Sequence, residues 1–324
     1  MSTKAEHWRN TRALIAKYGI YCAFVLLVGT LAIISPPFLT PYNIINILLQ
    51  TSVNAIIAVG MTLVIITGGI DLSVGAVVAL SAVIAASIAH PGGYPLFISI
   101  LLGLGVGLVV GLLNGVLIAK KRLAPFIVTL AMMTAVRGLA LVYTNGRPIV
   151  TLSHAYDQIG GGNLAGIPLP IIIVLLVVLF GIFLLHYTRF GRYVFAVGGN
   201  ELAARVSGIN TNRILITVYA LTGALAGLAG IVLSARVMSA SPALGAGYEL
   251  DAIAAVVIGG TSLSGGVGSI TGTVVGVLII GVMNNGLDML NVSSYWQLVA
   301  KGLIIVLAVL LDSRSRRQYS QLGF

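Results

Sequence analysis

The sequence predicts an all-α polytopic membrane protein of about ten transmembrane helices, with both termini in the cytoplasm. Three observations predict it. Of 324 residues, 58% are hydrophobic and only 8% charged, against about 25% charged in a soluble domain. Apolar runs of the ~18 residues or more that mark a crossing helix recur along the chain. Lys and Arg collect in alternate loops, which sets orientation. A soluble protein with this composition has too few polar side chains to cover its outer shell, and disorder requires the opposite balance.

The first span, about 18–34, follows a cytoplasmic segment 1–17 that carries Lys4, Arg9, Arg12 and Lys17. It is too long for the apolar core of a signal peptide and reads as an uncleaved helix ending at Ser35-Pro36-Pro37. Spans follow at 44–67, 72–89, 96–118 and 125–143, then at 169–187, 214–234, 250–263, 270–289 and 295–311. This topology places 14 of the 18 basic residues inside. Besides the first four they are Lys120, Lys121 and Arg122, then Arg189, Arg192, Arg205 and Arg213, and finally Arg314, Arg316 and Arg317. Arg147 and Arg236 fall outside, and Arg137 and Lys301 lie within spans. The eighth span opens on Glu249 and Asp251 and has a short clean run, 252–258. It is retained as a short crossing because nine crossings would put the Arg-rich tail outside. The longest loops, 144–168 outside and 188–213 inside, leave no room for a second soluble domain. The chain therefore reads as one transmembrane domain, 1–324, with a cytoplasmic tail 312–324.

Glycine contributes 40 residues, well above the usual ~7%. Gly103, Gly107 and Gly111, and likewise Gly223, Gly227 and Gly230, recur at helical spacing. In lipid, small residues let helix backbones approach closely, so both series are expected packing faces. A weak internal echo links Gly68-Gly69-Ile70-Asp71-Leu72-Ser73-Val74-Gly75 to Gly259-Gly260-Thr261-Ser262-Leu263-Ser264-Gly265-Gly266. Each segment joins an inward-going span to an outward-going one.

Several function classes are excluded. The net charge of +10 reflects basic residues between apolar spans, which is topology rather than nucleic-acid binding. A single cysteine, Cys22, forms no intrachain disulfide, and His7, His90, His154 and His186 have no partner at metal-ligand spacing. No GxxxxGK[ST] loop and no GxSxG elbow occur. The sequence thus offers no catalytic, metal or cofactor-binding residues, which argues against an enzyme.

Two constellations remain. In the loop 188–213, Asn200 is placed to N-cap a short helix over 201–207, and Gly208 suits the left-handed position that ends it. Glu201 and Arg205 stand four apart, as do Leu202 and Val206, giving one ion-paired face and one apolar face. Such a helix either lies on the membrane or docks into another protein. The second constellation is polar and lies in or beside the spans: Gln50, Ser52, Asn54, Thr67, Asp71, Ser73, Arg137, Asn284 and Asn285. Polar groups in lipid are costly and face a bundle interior or a water-filled path. Taken singly, each is an interhelical hydrogen bond, and Arg137 or Lys301 a snorkelling cation. As a set they favour a route for a polar solute. The acidic and histidine relay of proton-coupled carriers is missing.

At these residues the sequence resembles the membrane permeases of bacterial ABC importers for monosaccharides, the ribose-type permease most closely. The resemblance rests on Thr51-Ser52-Val53-Asn54-Ala55-Ile56, Ala58-Val59-Gly60-Met61-Thr62-Leu63, Gly69-Ile70-Asp71-Leu72-Ser73-Val74-Gly75 and Val142-Tyr143-Thr144-Asn145-Gly146. It continues through Thr188-Arg189-Phe190-Gly191-Arg192-Tyr193, Gly198-Gly199-Asn200-Glu201, Gly247-Tyr248-Glu249-Leu250-Asp251-Ala252-Ile253, Asn284-Asn285-Gly286-Leu287 and Val292-Ser293-Ser294-Tyr295. These motifs span most of the chain in the family's order. Permeases for xylose, arabinose, galactose, allose and a signalling furanone share much of the pattern.

The resemblance implies a half-transporter in the bacterial inner membrane. Its partners would be a second permease, identical or a sister chain, a cytoplasmic ATPase with tandem cassettes and a periplasmic sugar-binding protein. The missing phosphate-binding loop fits, since ATP chemistry then belongs to another chain. The short cytoplasmic helix, with Gly199, Asn200, Glu201, Ala203, Ala204, Arg205 and Gly208, becomes the coupling helix seated on the ATPase. The alternative reading is an ATP-independent secondary transporter or channel for a small polar solute.

Overall fold

In a computed structural model, residues 19–321 are described. The predicted N-terminal segment 1–17 and the last three positions of the predicted tail lie outside them. Each predicted span overlaps a helix, the eighth, 250–263, only as far as Ile258; a backbone in lipid must satisfy its own hydrogen bonds. Helix α1 covers Gly19–Ile34. A 3-10 turn, Pro36–Leu39, leads into α2, Pro41–Ile66, whose start is fixed by Pro41 and by the Thr40 hydroxyl accepting from the Asn43 amide. Then come α3 (Val74–Ile88), α4 (Leu96–Lys121) and α5 (Pro125–Thr144). The short α6, His154–Gly161, and a two-stranded hairpin, β1 Asn163–Leu164 with β2 Ile167–Pro168, fold over one end of the bundle. Helix α7, Leu169–Ile182, continues as a π-turn through Tyr187. The loop at the opposite end contains α8, Arg189–Gly199, and α9, Glu201–Val206. The chain closes with α10 (Thr211–Val237), α11 (Tyr248–Ile258), α12 (Ile270–Met289) and α13 (Ser294–Gln321).

Six of these helices are long and apolar enough to cross a membrane: α2, α4, α5, α7 with its π-turn, α10 and α12. Helices α1 and α3 are shorter apolar helices. Helix α13 runs ten residues into the predicted tail, 312–321 being free of Gly and Pro, the two residues that break helices. The eighth predicted span differs most. Helix α11 has 11 residues, about 16 Å at the α-helical rise, roughly half the hydrocarbon thickness. Before it, after the Ile149–Ala240 bridge, residues 242–247 form turns, with Gly245 and Gly247 at positive φ. Buried irregular backbone survives only where protein partners satisfy it. Here the Arg137 guanidinium donates to the carbonyls of Pro242 at 2.6 Å and Leu244 at 2.8 Å.

Helix α2 forms the axis, with every residue from Ala55 to Ile66 buried, as expected of a helix apolar on all sides. The two glycine series meet between antiparallel α4 and α10. A methyl on Gly107 would overlap the Gly223 carbonyl, one on Gly223 the Gly107 carbonyl, and one on Gly111 the Tyr219 carbonyl. Gly230 packs instead on the Val78 carbonyl of α3. Polar side chains add interhelical hydrogen bonds, Thr62 with Thr273 at 2.7 Å and Thr222 to the Gly60 carbonyl at 3.0 Å. Outward, α4, α5 and α7 expose Leu101, Val109, Ile127, Leu139, Leu176 and Phe180, an apolar surface for lipid.

Candidate functional site

The loop between α7 and α10 carries one candidate site. The Thr188 hydroxyl caps α8 by accepting from the Gly191 amide at 3.2 Å. Asn200 Oδ1 caps α9, accepting from the Ala203 amide at 2.9 Å, and Asn210 Oδ1 caps α10 through Arg213 at 3.0 Å. Glu201 and Arg205 pair at 2.5 Å, and Thr211 bonds both, donating to Glu201 at 3.2 Å and accepting from Arg205 at 3.1 Å. Gly208 has φ +85°, the left-handed conformation expected after the last turn. Helix α9 is therefore clamped at both ends. Gly199, Glu201 and Ala203 are exposed, Arg205 is half-buried, and Ala204 is buried at 5% exposure. Leu202 and Val206 are 73% and 82% exposed. The apolar pair at i, i+4 thus points away from the protein, and Ala204 anchors the helix to it. The spacing of the pair was the signal; which side faced outward was not legible.

The polar residues of the spans fall into separate hydrogen-bonded groups. Gln50 is exposed, and the buried Ser52 hydroxyl bonds the Leu49 carbonyl at 2.7 Å. Thr67 bonds the Val64 carbonyl at 2.7 Å where α2 ends. Asn285 is buried and exchanges two 2.9 Å hydrogen bonds with Asn43 of α2, and neighbouring Asn284 has a buried, unpaired Oδ1.

The second group lies between α2 and α3. Asp71 is 1% exposed and accepts from the amide and hydroxyl of Ser73 at 2.9 and 2.6 Å. Asn114 of α4 donates to the Ser73 hydroxyl at 2.9 Å. Tyr219 of α10 is fully buried, and its hydroxyl lies against Gly69. The sequence reading omitted Asn114 and Tyr219, although a lone Asn in an apolar span is itself a signal.

A third group surrounds the start of α11. Lys301 of α13 pairs with Asp251 at 3.0 Å, and Asn54 of α2 donates to the same carboxylate oxygen at 3.5 Å. Glu249 lies two residues earlier with an unpaired buried Oε2. The fourth is a pair of arginines serving backbone: Arg137, already described, and Arg236, which donates to the Leu49 carbonyl. Among the described residues, no cluster of His, Cys, Asp or Glu is suited to a metal ion.

Comparison with known proteins adds family evidence. Residues 43–309 match the family described as branched-chain amino acid transport system / permease component. The chain is 54% identical over 303 residues to the ribose import permease protein RbsC of Bacillus subtilis (strain 168), covering 93% of this chain and 94% of that one. It is 49% identical over 322 residues to the ribose import permease protein RbsC of Escherichia coli (strain K12), covering 98% and 100%. An L-arabinose ABC transporter permease protein of Azospirillum brasilense is 43% identical over 306 residues, covering 94% and 90%. No solved structure matches the chain.

Proposed function

Because this chain belongs to the branched-chain amino acid transport system / permease component family, we propose that it is the membrane-spanning subunit of an ATP-driven monosaccharide importer, with ribose its first candidate substrate. The observation that carries this reading is 49–54% identity to ribose import permeases over nearly the whole chain. It is a multi-pass protein of the inner membrane. The full proposal is a single domain of ten crossings with both termini cytoplasmic, in which α11 and the turns before it together make the eighth.

A second permease, identical or a sister chain, completes the path. A periplasmic binding protein delivers the sugar and a separate ATPase supplies the energy. Helix α9 is the coupling helix in this proposal, with residues 199–208 as its frame. Support comes from its clamped ends and from Leu202 and Val206, whose exposed apolar side chains suit a cleft in a partner. The polar residues of α2, its link to α3, and α12 line or brace the path, and Arg137 holds the turns before α11.

The test is uptake of labelled ribose into vesicles holding this chain, the ATPase and the binding protein. ATP-dependent uptake requiring all three is the expected result. Uptake by the permease alone on a proton or sodium gradient would overturn the energy source. Leu202→Asp with Val206→Asp should abolish ATP-driven uptake and ATPase copurification without lowering permease yield, since both side chains are exposed. Wild-type uptake in that variant would remove α9 from the coupling role.

A further inference from the structure

The internal echo of the sequence has a counterpart in space. The end of α2, residues 66–69, and the α11–α12 link, residues 262–268, meet each other and the last two residues of α8. The Gly266 amide donates to the Ile66 carbonyl at 2.8 Å, filling one of the acceptors that a helix C-terminus leaves open. A methyl on Gly198 would overlap that same carbonyl and lie 2.7 Å from the Gly266 nitrogen. A methyl on Gly265 would lie 2.7 Å from the Gly198 oxygen and 3.0 Å from the Gly68 nitrogen. Gly68, Gly265 and Gly266 have φ of +79°, +84° and +76°, values that L side chains avoid. Asn200, the cap of α9, is two residues beyond Gly198.

We propose that these three glycine-rich segments form one rigid junction that carries any displacement of α9 into α2–α3 and α11–α12 together. This rests on the reading of α9 as the coupling helix. The contact is backbone on backbone, so no side chain can change rotamer to absorb a shift, and closely packed interiors transmit strain. The two links related by the echo are held to each other at this point. A movement entering at Gly198 therefore reaches Asp71 and Ser73 on one side and the capped start of α12 on the other, where the Ser269 hydroxyl accepts from Gly272 at 3.0 Å.

The test uses the whole transporter in vesicles, with the permease carrying Cys22→Ser. Gly198→Ala should leave ATPase copurification intact while uptake per ATP hydrolysed falls at least about fivefold, the low end of an inter-site coupling. Unchanged coupling in that variant overturns the proposal. Gly105→Ala, with no atom within 4 Å of the added methyl, is the control that keeps wild-type coupling. A second arm does not depend on tolerance at Gly198. Gly199 and Val267 are both exposed, and a methyl on Gly266 would lie 3.0 Å from Gly199 Cα. The next Cα, that of Val267, is about 3.8 Å beyond Gly266. Measured against the unjoined Gly199→Cys, Val267→Cys permease with its ATPase bound, joining the two with a short cleavable dithiol reagent should leave uptake unchanged, because the two move as one body. Loss of uptake on joining, restored by cleavage, would show that the segments part during transport and would overturn the junction. Uptake by the unmodified protein in the same vesicles tests the importer reading separately.

Discussion

Lys301→Met isolates the ion pair that ties α13 to α11. At 3.0 Å and an effective dielectric near 20, the gross attraction is about 5–6 kcal/mol. Much of this is offset by the cost of withdrawing both charges from water, so the net worth of the pair is small. Removing one partner is different. The Asp251 carboxylate, 7% exposed as a residue, then stays buried with only the 3.5 Å hydrogen bond from Asn54. Loss of one member of a buried pair costs about 3–5 kcal/mol, and the surviving Asn54 contact places this case near 3. Asp251→Asn with Lys301→Met removes both charges and leaves two amides facing each other, so the double variant should return to within about 1 kcal/mol of wild type. The assay is equilibrium unfolding in mixed detergent micelles across the full double-mutant cycle. A loss below about 1 kcal/mol for Lys301→Met, or a double variant no better than the single, would refute the argument.

Three further outcomes follow from the same geometry. Glu201→Lys opposes Arg205 with a like charge and strips Thr211 of its acceptor, so it should abolish uptake with the permease still in the membrane. Wild-type uptake with the ATPase still copurifying would contradict this. Gly107→Val should lower folded yield sharply, because its side chain meets the Gly223 carbonyl, and overpacking of this kind costs about 1–3 kcal/mol or more; equal yield and thermal stability would deny the α4–α10 contact. Asn285→Leu leaves part of the buried Asn43 amide unpaired and should cost about 1–3 kcal/mol, read as a lower unfolding midpoint that Asn43→Leu in the same chain partly restores.

The helices were legible residue by residue. Where a run such as 270–289 is mostly apolar, the backbone has no partner but itself, and the predicted span coincides with α12. The caps were legible too, since Asn200 and Gly208 act on neighbours within a turn. The faces of α9 were half legible: the spacing of Leu202 and Val206 showed that they share a side, but nothing local showed that Ala204 is the residue held inside. The eighth span was the least legible, because 252–258 reads as apolar helix whether or not the chain before it is helical.

By itself, then, the sequence determined the class of the protein and the positions of most of its helices. These depend on composition, on periodicity and on hydrogen bonds that close within a few residues. Only the tertiary structure decided how the polar residues divide. Asn43 meets Asn285 across 242 positions, Lys301 meets Asp251 across 50, and Arg137 reaches carbonyls more than 100 positions away. Such partners are set by how helices cross and by which glycines allow the approach. The convergence of Ile66, Gly198 and Gly266 is the clearest instance, since each is an ordinary residue in its own segment and acquires its meaning from the other two.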